Sequence, residues 1–219
     1  MAGNYNRWIY DMIAPGLGDR ILDIGCSMGN ITQGFLDRDL VVGVDCVAEV
    51  AEVAKKRFSE HNNFSALCLN FPKDDISPLK NYYFDTIVAV NVLEHIEDDV
   101  EALRAMHWLL CSGGHVAMVV PAIKWLYGTM DHEDRHYRRY SKRELLHKLE
   151  DANFRILSVD YMNMMGLFGW FFNGRVLKKR IVPQKQLLLF DGMVPVLRAI
   201  EFRTGCPIGQ SLVAIGKKP

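Results

Sequence analysis

The stretch that decides the fold is Ile21-Leu22-Asp23-Ile24-Gly25-Cys26-Ser27-Met28-Gly29-Asn30. An apolar segment typical of a buried strand runs into a glycine-containing turn, and a helix is expected to begin near Gly29. Asp45 ends the next apolar segment, Val41–Val44, twenty residues after Gly25. A strand, a glycine turn, a helix and an acidic residue at the following strand end form half of a nucleotide-binding site in α/β proteins.

Two motifs that share this stretch fit it poorly. Gly25-x-Ser27-x-Gly29 has the pattern of a hydrolase nucleophile elbow, and Asp131 and His136 follow in the required order. Only one strand precedes Ser27, however, and no upstream segment could supply an oxyanion loop. The dinucleotide fingerprint requires a second glycine where Ser27 stands, for backbone approach to a pyrophosphate.

The rest of the chain alternates short apolar runs with amphipathic stretches. Near-continuous Val, Ile and Leu runs are typical of strands buried on both faces, so we predict a doubly wound, seven-stranded, mostly parallel sheet of the Rossmann-like kind. The predicted strands are Arg20–Ile24, Leu40–Val44, Ser65–Leu69, Asp85–Val90, His115–Val120, Arg155–Asp160 and Ser211–Ile215. The predicted helices are Asn30–Leu36, Ala48–His61, Asp98–Leu110 and Ser141–Ala152, with Ser141 and Glu144 as a capping box and Asn153 as a left-handed stop.

The segment from Tyr161 to Gln210 breaks the alternation and is too long for a structureless loop. We predict a helical cap over residues 161–210, inserted between the last two strands of a single domain that spans 1–219. Its cluster of Met, Phe, Leu and Trp is followed by the basic triplet Lys178-Lys179-Arg180. Such a cluster could line a pocket for an apolar ligand, form a dimer face, or contact a membrane surface peripherally.

Composition excludes several function classes. Lys plus Arg and Asp plus Glu number 26 each, so no global field attracts nucleic acid, and no nucleic-acid partner is expected. The five cysteines lack Cys-x-x-Cys spacing, and no metal site is predicted. With no signal-peptide pattern and no apolar run of spanning length, we expect a cytoplasmic protein, either a monomer or a homodimer.

Three later motifs extend the opening one, in order and at consistent spacing. They are Leu69-Asn70-Phe71, Asn91-Val92-Leu93-Glu94-His95-Ile96 after Phe84-Asp85-Thr86-Ile87-Val88, and Leu109-Leu110-Cys111-Ser112-Gly113-Gly114. With Asp23 before the turn, the series resembles the class I S-adenosylmethionine (SAM) methyltransferases, including ubiquinone- and menaquinone-biosynthesis enzymes and bacterial natural-product enzymes. That resemblance implies the fold, SAM as cofactor, and methyl transfer to a small-molecule acceptor.

The resemblance also assigns cofactor contacts. Asp45 is placed to accept both ribose hydroxyls, and Gly25 and Gly29 allow the backbone to approach the methionine moiety. Asn70 stands where an aspartate commonly contacts the adenine amine. The candidate cofactor-binding residues are Asp23, Gly25, Cys26, Gly29, Asp45, Cys46, Asn70, Phe71, Asn91, Val92 and His95, with Tyr5 and Trp8 as an N-terminal lid.

The loop after the fifth strand should overhang the site, because ligands of doubly wound sheets bind outside the carboxyl ends of the strands. A similar Tyr-Gly…Asp-His…His-Tyr-Arg-Arg-Tyr stretch, with Gly209-Gln210-Ser211, occurs in a subgroup of bacterial methyltransferases. His132 or His136 is the candidate base, with Asp131 orienting it. The candidate substrate-binding residues are Tyr127, Tyr137, Arg138, Arg139, Tyr140 and Trp170, of which the two arginines could clamp an anionic group.

Several alternatives stay open from the sequence. The loop could be a salt-bridged network with no ligand, since ion pairs also cluster away from active sites. The protein could be a serine hydrolase using Ser27, or a SAM-binding module without turnover. The acceptor could be apolar or carry an anionic group, and the methylated atom could be oxygen, nitrogen or carbon.

Overall fold

The computed structural model describes residues 3–179 and 182–219, and its centre is a seven-stranded sheet. The strands are β1 (Arg20–Ile24), β2 (Leu40–Asp45), β3 (Phe64–Cys68), β4 (Thr86–Val90), β5 (His115–Pro121), β6 (Arg155–Met162) and β7 (Ser211–Lys217). They lie in the order β3-β2-β1-β4-β5-β7-β6. Strands β1 to β5 pair in parallel, whereas β7 is antiparallel to β5 and β6.

The predicted sheet is therefore confirmed, and the predicted strand bounds hold to within two residues. β1 has the predicted bounds, and its last four residues are all buried, as expected for a central strand covered on both faces. The strands that differ most, β6 and β7, each extend two residues further than predicted, because they pair with each other along their whole lengths.

Helices cover both faces of this sheet. They are α1 (Gly3–Ile13), α2 (Ala48–Arg57), α3 (Asp99–Leu109), α4 (Thr129–Glu133), α5 (Lys142–Asp151), α6 (Met164–Trp170) and α7 (Gln184–Thr204). Side chains of α3 and α5 belong to one apolar cluster, and those of α1 and α7 belong to another. The two clusters lie on opposite faces of the sheet, which is the layering of a doubly wound fold.

Half of the predicted capping box is confirmed, since the Ser141 Oγ accepts a hydrogen bond from the Glu144 amide, whereas the Glu144 carboxylate pairs with Lys124 at 2.9 Å. Asn153 is left-handed with φ of +65°, as predicted. The helix predicted over Asn30–Leu36 is wrong in extent. Only the 3-10 turn Thr32–Phe35 forms there. Gly34 lowers helix propensity, and its position lies directly against the Tyr10 ring, so this segment fills a gap beside α1 instead of continuing as a helix.

The segment between β6 and β7 is helical, as predicted. It contains α6, a π-helical turn over Phe171–Val176, and α7, and it begins after Met162 because β6 extends that far. Arg180 of the basic triplet lies outside the described residues. Many apolar side chains here face solvent, and Phe202 is 91% exposed. Within the described ranges, no helix combines the length and apolarity needed to cross a membrane.

Candidate functional site

The turn after β1 depends on left-handed backbone. Gly25 and Gly29 have φ of +71° and +81°, a region that residues with a Cβ adopt only at a cost. A Cβ on Gly25 would lie 2.4 Å from Val92 Cγ2, and one on Gly29 would lie 2.2 Å from the Phe58 ring. Both glycines therefore serve close packing as well as backbone conformation, and the turn is held open at the edge of the sheet.

Asp45 closes this turn from the neighbouring strand. Its carboxylate oxygens accept hydrogen bonds from the amides of Ser27 and Val47, at 3.0 Å each. These backbone donors fix the carboxylate, and because the residue is half-buried, part of it still faces solvent. Each oxygen retains a further lone pair, which is what a bound vicinal diol requires.

Asp23 and Cys26 lie beneath the turn. The Asp23 carboxylate is 3% exposed and accepts a 2.6 Å hydrogen bond from Thr32 Oγ1. Burial raises the pKa of Asp23 to about 7 and that of the buried Cys26 thiol to about 12. Both side chains therefore position the turn from inside the protein. Cys46, by contrast, is exposed beside Asp45.

Strands β3 and β4 end at the same edge, as their parallel register requires. Asn91 follows β4 with φ of +53° and an exposed side chain, and its amide donates to Val119 O at 2.8 Å. Asn70 is also exposed, whereas Phe71 beside it is buried. The predicted contacts from the first four strands thus meet at one edge of the sheet.

The loop between β5 and α5 is organised by Asp131, which is fully buried. Its carboxylate accepts hydrogen bonds from four groups: Arg139 Nε at 2.7 Å, the Gly128 amide at 2.9 Å, His136 Nδ1 at 3.1 Å and Trp170 Nε1 at 3.3 Å. Burial opposes ionisation, but these partners outweigh it and lower the pKa of Asp131. Asp131 and His136, predicted as a pair, are therefore brought together, and the pair extends to the cap through Trp170.

Arg139 and Tyr140 are buried, contrary to an open substrate clamp. The Arg139 guanidinium is 2% exposed and lies 4.9 Å from the centre of the Trp170 ring. Tyr140 donates to Asp99 Oδ2 at 2.9 Å, and burial raises its pKa. Asp99 also pairs with Arg138 at 2.8 Å and Lys148 at 2.6 Å. These contacts match the alternative in which the loop is a salt-bridged network. The two arginines and Tyr140 hold in place the loop that carries His136.

Asp99 and Glu94 are two residues of this region that the sequence did not single out. Asp99 lies in the first turn of α3, where an acid is ordinary. Glu94 interrupts the apolar run Val92-Leu93, and that interruption was the available signal. Its side chain is 0% exposed, and burial raises its pKa to about 8. The neighbouring His95 ring meets the His136 ring edge-on, with centroids 4.7 Å apart, and burial lowers the pKa of His95.

His132 and Tyr127 lie on another side of the loop. His132 is exposed and lines a shallow cleft with Tyr127 and Glu133. The hydroxyl of Tyr127 donates to His136 O at 2.7 Å, so Tyr127 supports the loop backbone. Tyr137 is 52% exposed. Of the two candidate bases, only His136 is thus oriented by Asp131.

A largely apolar cavity of about 360 Å³ lies between α1, α6 and α7. Trp170 forms part of its wall and reaches Asp131, so the cavity adjoins the His136 loop. Tyr5 lines the cavity and packs edge-on against Phe190 at 6.2 Å, whereas Trp8 is buried beneath it. Side chains that line the cavity include Tyr5, Met165, Trp170, Leu187, Phe190 and Met193.

The chain is similar to known methyltransferases. A family model described as a methyltransferase domain matches residues 22–116. A ubiquinone biosynthesis O-methyltransferase of Acinetobacter baumannii is 23% identical over 111 residues, which are 50% of this chain and 47% of that protein. A malonyl-[acyl-carrier protein] O-methyltransferase of Ilyobacter polytropus is 26% identical over 152 residues, covering 64% of this chain and 54% of that protein. The chain spans about half the length of these curated relatives.

Among solved structures, a geranyl diphosphate methyltransferase in complex with SAM superposes with a TM-score of 0.67 at 16% identity. The superposition covers 99% of this chain and 85% of the other. At that identity the likeness concerns the fold alone. The matched segment, residues 22–116, and the fold of this chain are thus similar to those of SAM-dependent methyltransferases.

Proposed function

We propose that this protein binds SAM at the β1–β2 edge and transfers its methyl group to an oxygen of a small, largely apolar acceptor. The observation that carries the proposal is Asp45, held by the Ser27 and Val47 amides beside the open Gly25 turn. A carboxylate fixed in this way presents acceptors for the ribose hydroxyls. The exposed Asn91 and Asn70 side chains border the same edge.

The acceptor would occupy the cavity between α1, α6 and α7. Its lining is mainly apolar, with Met165, Leu187 and Met193 among the side chains, and methionine-rich walls adapt to irregular apolar ligands. Holding acceptor and sulfonium carbon in line is the enzyme's main contribution, and orientation of this kind contributes up to ~7–11 kcal/mol of barrier reduction.

His136 is the proposed base. Its Nδ1 lies 3.1 Å from the buried Asp131 carboxylate, which favours a proton on Nδ1 and leaves Nε2 as the acceptor. In the proposed step the acceptor hydroxyl gives its proton to Nε2, the new C–O bond forms at the methyl carbon, and the C–S bond electrons return to sulfur. The products are the methyl ether and S-adenosylhomocysteine (SAH).

The test is calorimetric titration with SAH. We expect the wild-type chain to bind SAH, and Asp45→Asn to bind ~10–150-fold more weakly, because hydrogen bonds to a charged group contribute ~1.5–3 kcal/mol. Glu52→Gln is the matched control, since Glu52 is an exposed acid on α2 whose partner Lys56 lies 4.0 Å away. No SAH binding by wild type, or equal binding by Asp45→Asn, would contradict the proposal.

Of the two other functions, the same titration separates the hydrolase, and a methylation assay separates the binding module. A hydrolase using Ser27 would not bind SAH, whereas Ser27→Ala should retain SAH binding because the Ser27 amide, not its hydroxyl, contacts Asp45. A SAM-binding module without turnover would bind SAH but leave every acceptor unmethylated. The ordered Asp131–His136 pair beside the cavity favours turnover over simple binding.

A further inference from the structure

Glu94 is a buried carboxylate without a hydrogen-bond partner. Its side chain is 0% exposed, and within the described ranges neither Oε1 nor Oε2 has a hydrogen-bonding partner. Burying a carboxylate in this way is unfavourable unless a cation or donors compensate it. The nearby Arg139 donates hydrogen bonds to Asp131 and to Ala122 O, and none to Glu94. This carboxylate is therefore suited to a positively charged ligand.

Two imidazoles lie beside it. One potential ligand atom from each of Glu94, His95 and His136 lies within 4.8 Å of the other two. Bonds of about 2.0–2.2 Å to a zinc ion would place such atoms about 3–3.5 Å apart. Side-chain rotations that move the ligand atoms by roughly an ångström would therefore complete the coordination. Two imidazoles and one carboxylate are a recurrent ligand set for divalent transition metals.

The loop that carries His136 is fixed to the Glu94 turn by backbone contacts. The Tyr137 amide donates to Glu94 O at 2.8 Å, and the Tyr140 hydroxyl lies 3.2 Å from Leu93 O. His136 is thus brought to Glu94 and His95 by the same contacts that close the loop. The sequence predicted no metal site, because these ligands come from segments more than forty residues apart.

The orientation of His136 gives a second, independent indication. Its Nδ1 is engaged by Asp131, which is itself held by Arg139 at 2.7 Å. Metal-binding histidines usually donate their second ring N–H to a carboxylate, which fixes the ring and makes the other nitrogen a better ligand. The buried Asp131 supplies that arrangement and leaves Nε2 of His136 open toward a ligand.

We propose that Glu94, His95 and His136 form a binding site for a divalent transition-metal ion of the zinc, cobalt or manganese kind. Three protein ligands leave coordination positions for water. A bound ion would use the Nε2 lone pair of His136, so metal binding and the base role of His136 exclude each other. Binding of the ion itself does not depend on methyl transfer.

The experiment is titration of the chelator-treated full chain with Co²⁺ followed by visible absorption, and with Zn²⁺ by competition against a chromophoric chelator. We expect one ion per chain, and a loss of at least ~10-fold in affinity for Glu94→Gln and for His136→Gln, as removal of groups around metal sites costs ~10–100-fold. His147→Gln is the matched control, because His147 forms a similar but exposed pair with Glu150 at 3.6 Å.

His95→Gln keeps the test decisive if Glu94→Gln does not fold, because His95 lies in an exposed position. The proposal is overturned if the wild type binds neither ion at millimolar concentration, or if the ligand variants bind as tightly as the wild type, which would place the ion elsewhere. SAH titration of the same samples separates the two proposals, since a wild-type chain that binds SAH but neither metal ion would refute only this one.

Discussion

The proposed cofactor half and the proposed acceptor half of this site are built by different means. Around β1 and β2, backbone geometry supplies the structure: Gly25 is left-handed, and amides hold Asp45. Around the His136 loop, buried side chains supply it, with Asp131 alone accepting four hydrogen bonds. The first half joins neighbouring strands through backbone groups, and the second joins the loop to α3 and to the cap through side chains. Substitutions should therefore affect them in different ways.

The largest effect is expected for Asp131→Asn in the loop half. The substitution leaves Arg139 buried without its carboxylate, and breaking a buried ion pair costs ~3–5 kcal/mol. Urea unfolding at neutral pH measures the loss. Glu150→Gln removes the acid of an exposed pair with His147 and should cost ~0–1 kcal/mol. Similar small losses for both variants would show that the loop is not held by Asp131.

Gly25→Ala tests the turn half. The new Cβ would collide with Val92, and the alanine would have to adopt a left-handed backbone conformation. We therefore expect ~1–2 kcal/mol of destabilisation and SAH binding weakened ~10-fold or more. Gly113→Ala has the same kind of backbone, with φ of +81°, but its Cβ would meet only Lys217 Cε at 4.0 Å. It should lose stability and keep SAH affinity. Unchanged SAH binding by Gly25→Ala would place the cofactor elsewhere.

Asp23→Asn tests the burial of the Asp23 carboxyl beneath the turn, through the pH dependence of the stability. The folded-state pKa of Asp23 is raised from 3.8 to about 7, so the folded state holds its proton more tightly than the unfolded state between those values. Stability attributable to Asp23 therefore falls as pH rises through that window, by up to ~1.4 kcal/mol per unit. We expect Asp23→Asn to gain stability relative to wild type at pH 8 compared with pH 4. An identical difference at both pH values, measured by urea unfolding, would contradict the buried placement.

Phe202→Ser should have the smallest effect. Phe202 on α7 is 91% exposed, and surface substitutions usually change stability by less than ~0.5 kcal/mol. Thermal unfolding of the isolated chain measures this. A destabilisation of several kcal/mol would mean that α7 is covered, for instance by a second copy of the chain. The dimer and membrane contacts suggested by the cap composition stay predictions.

The contrast between the turn after β1 and the His136 loop explains which features could be predicted from the sequence. Strand bounds and the placement of Asp45 follow from short-range patterns, since an apolar run and the turn after it lie within ten residues. The burial of Arg139 and Tyr140 does not, because their partners Asp131 and Asp99 are decided by how the loop packs on α3 and on the β4 end. In the sequence Glu94 is one residue of a motif, and its proposed role as a metal ligand follows only from its proximity to His136 in the folded chain.

The most direct test of the account is a crystal structure with SAH bound. We expect both ribose hydroxyls within hydrogen-bonding distance of the Asp45 carboxylate and the methionine moiety over the Gly25 turn. The sulfur should face the cavity wall at Trp170. SAH bound away from Asp45, or with its sulfur turned from that cavity, would contradict the division of this site into a cofactor half and an acceptor half.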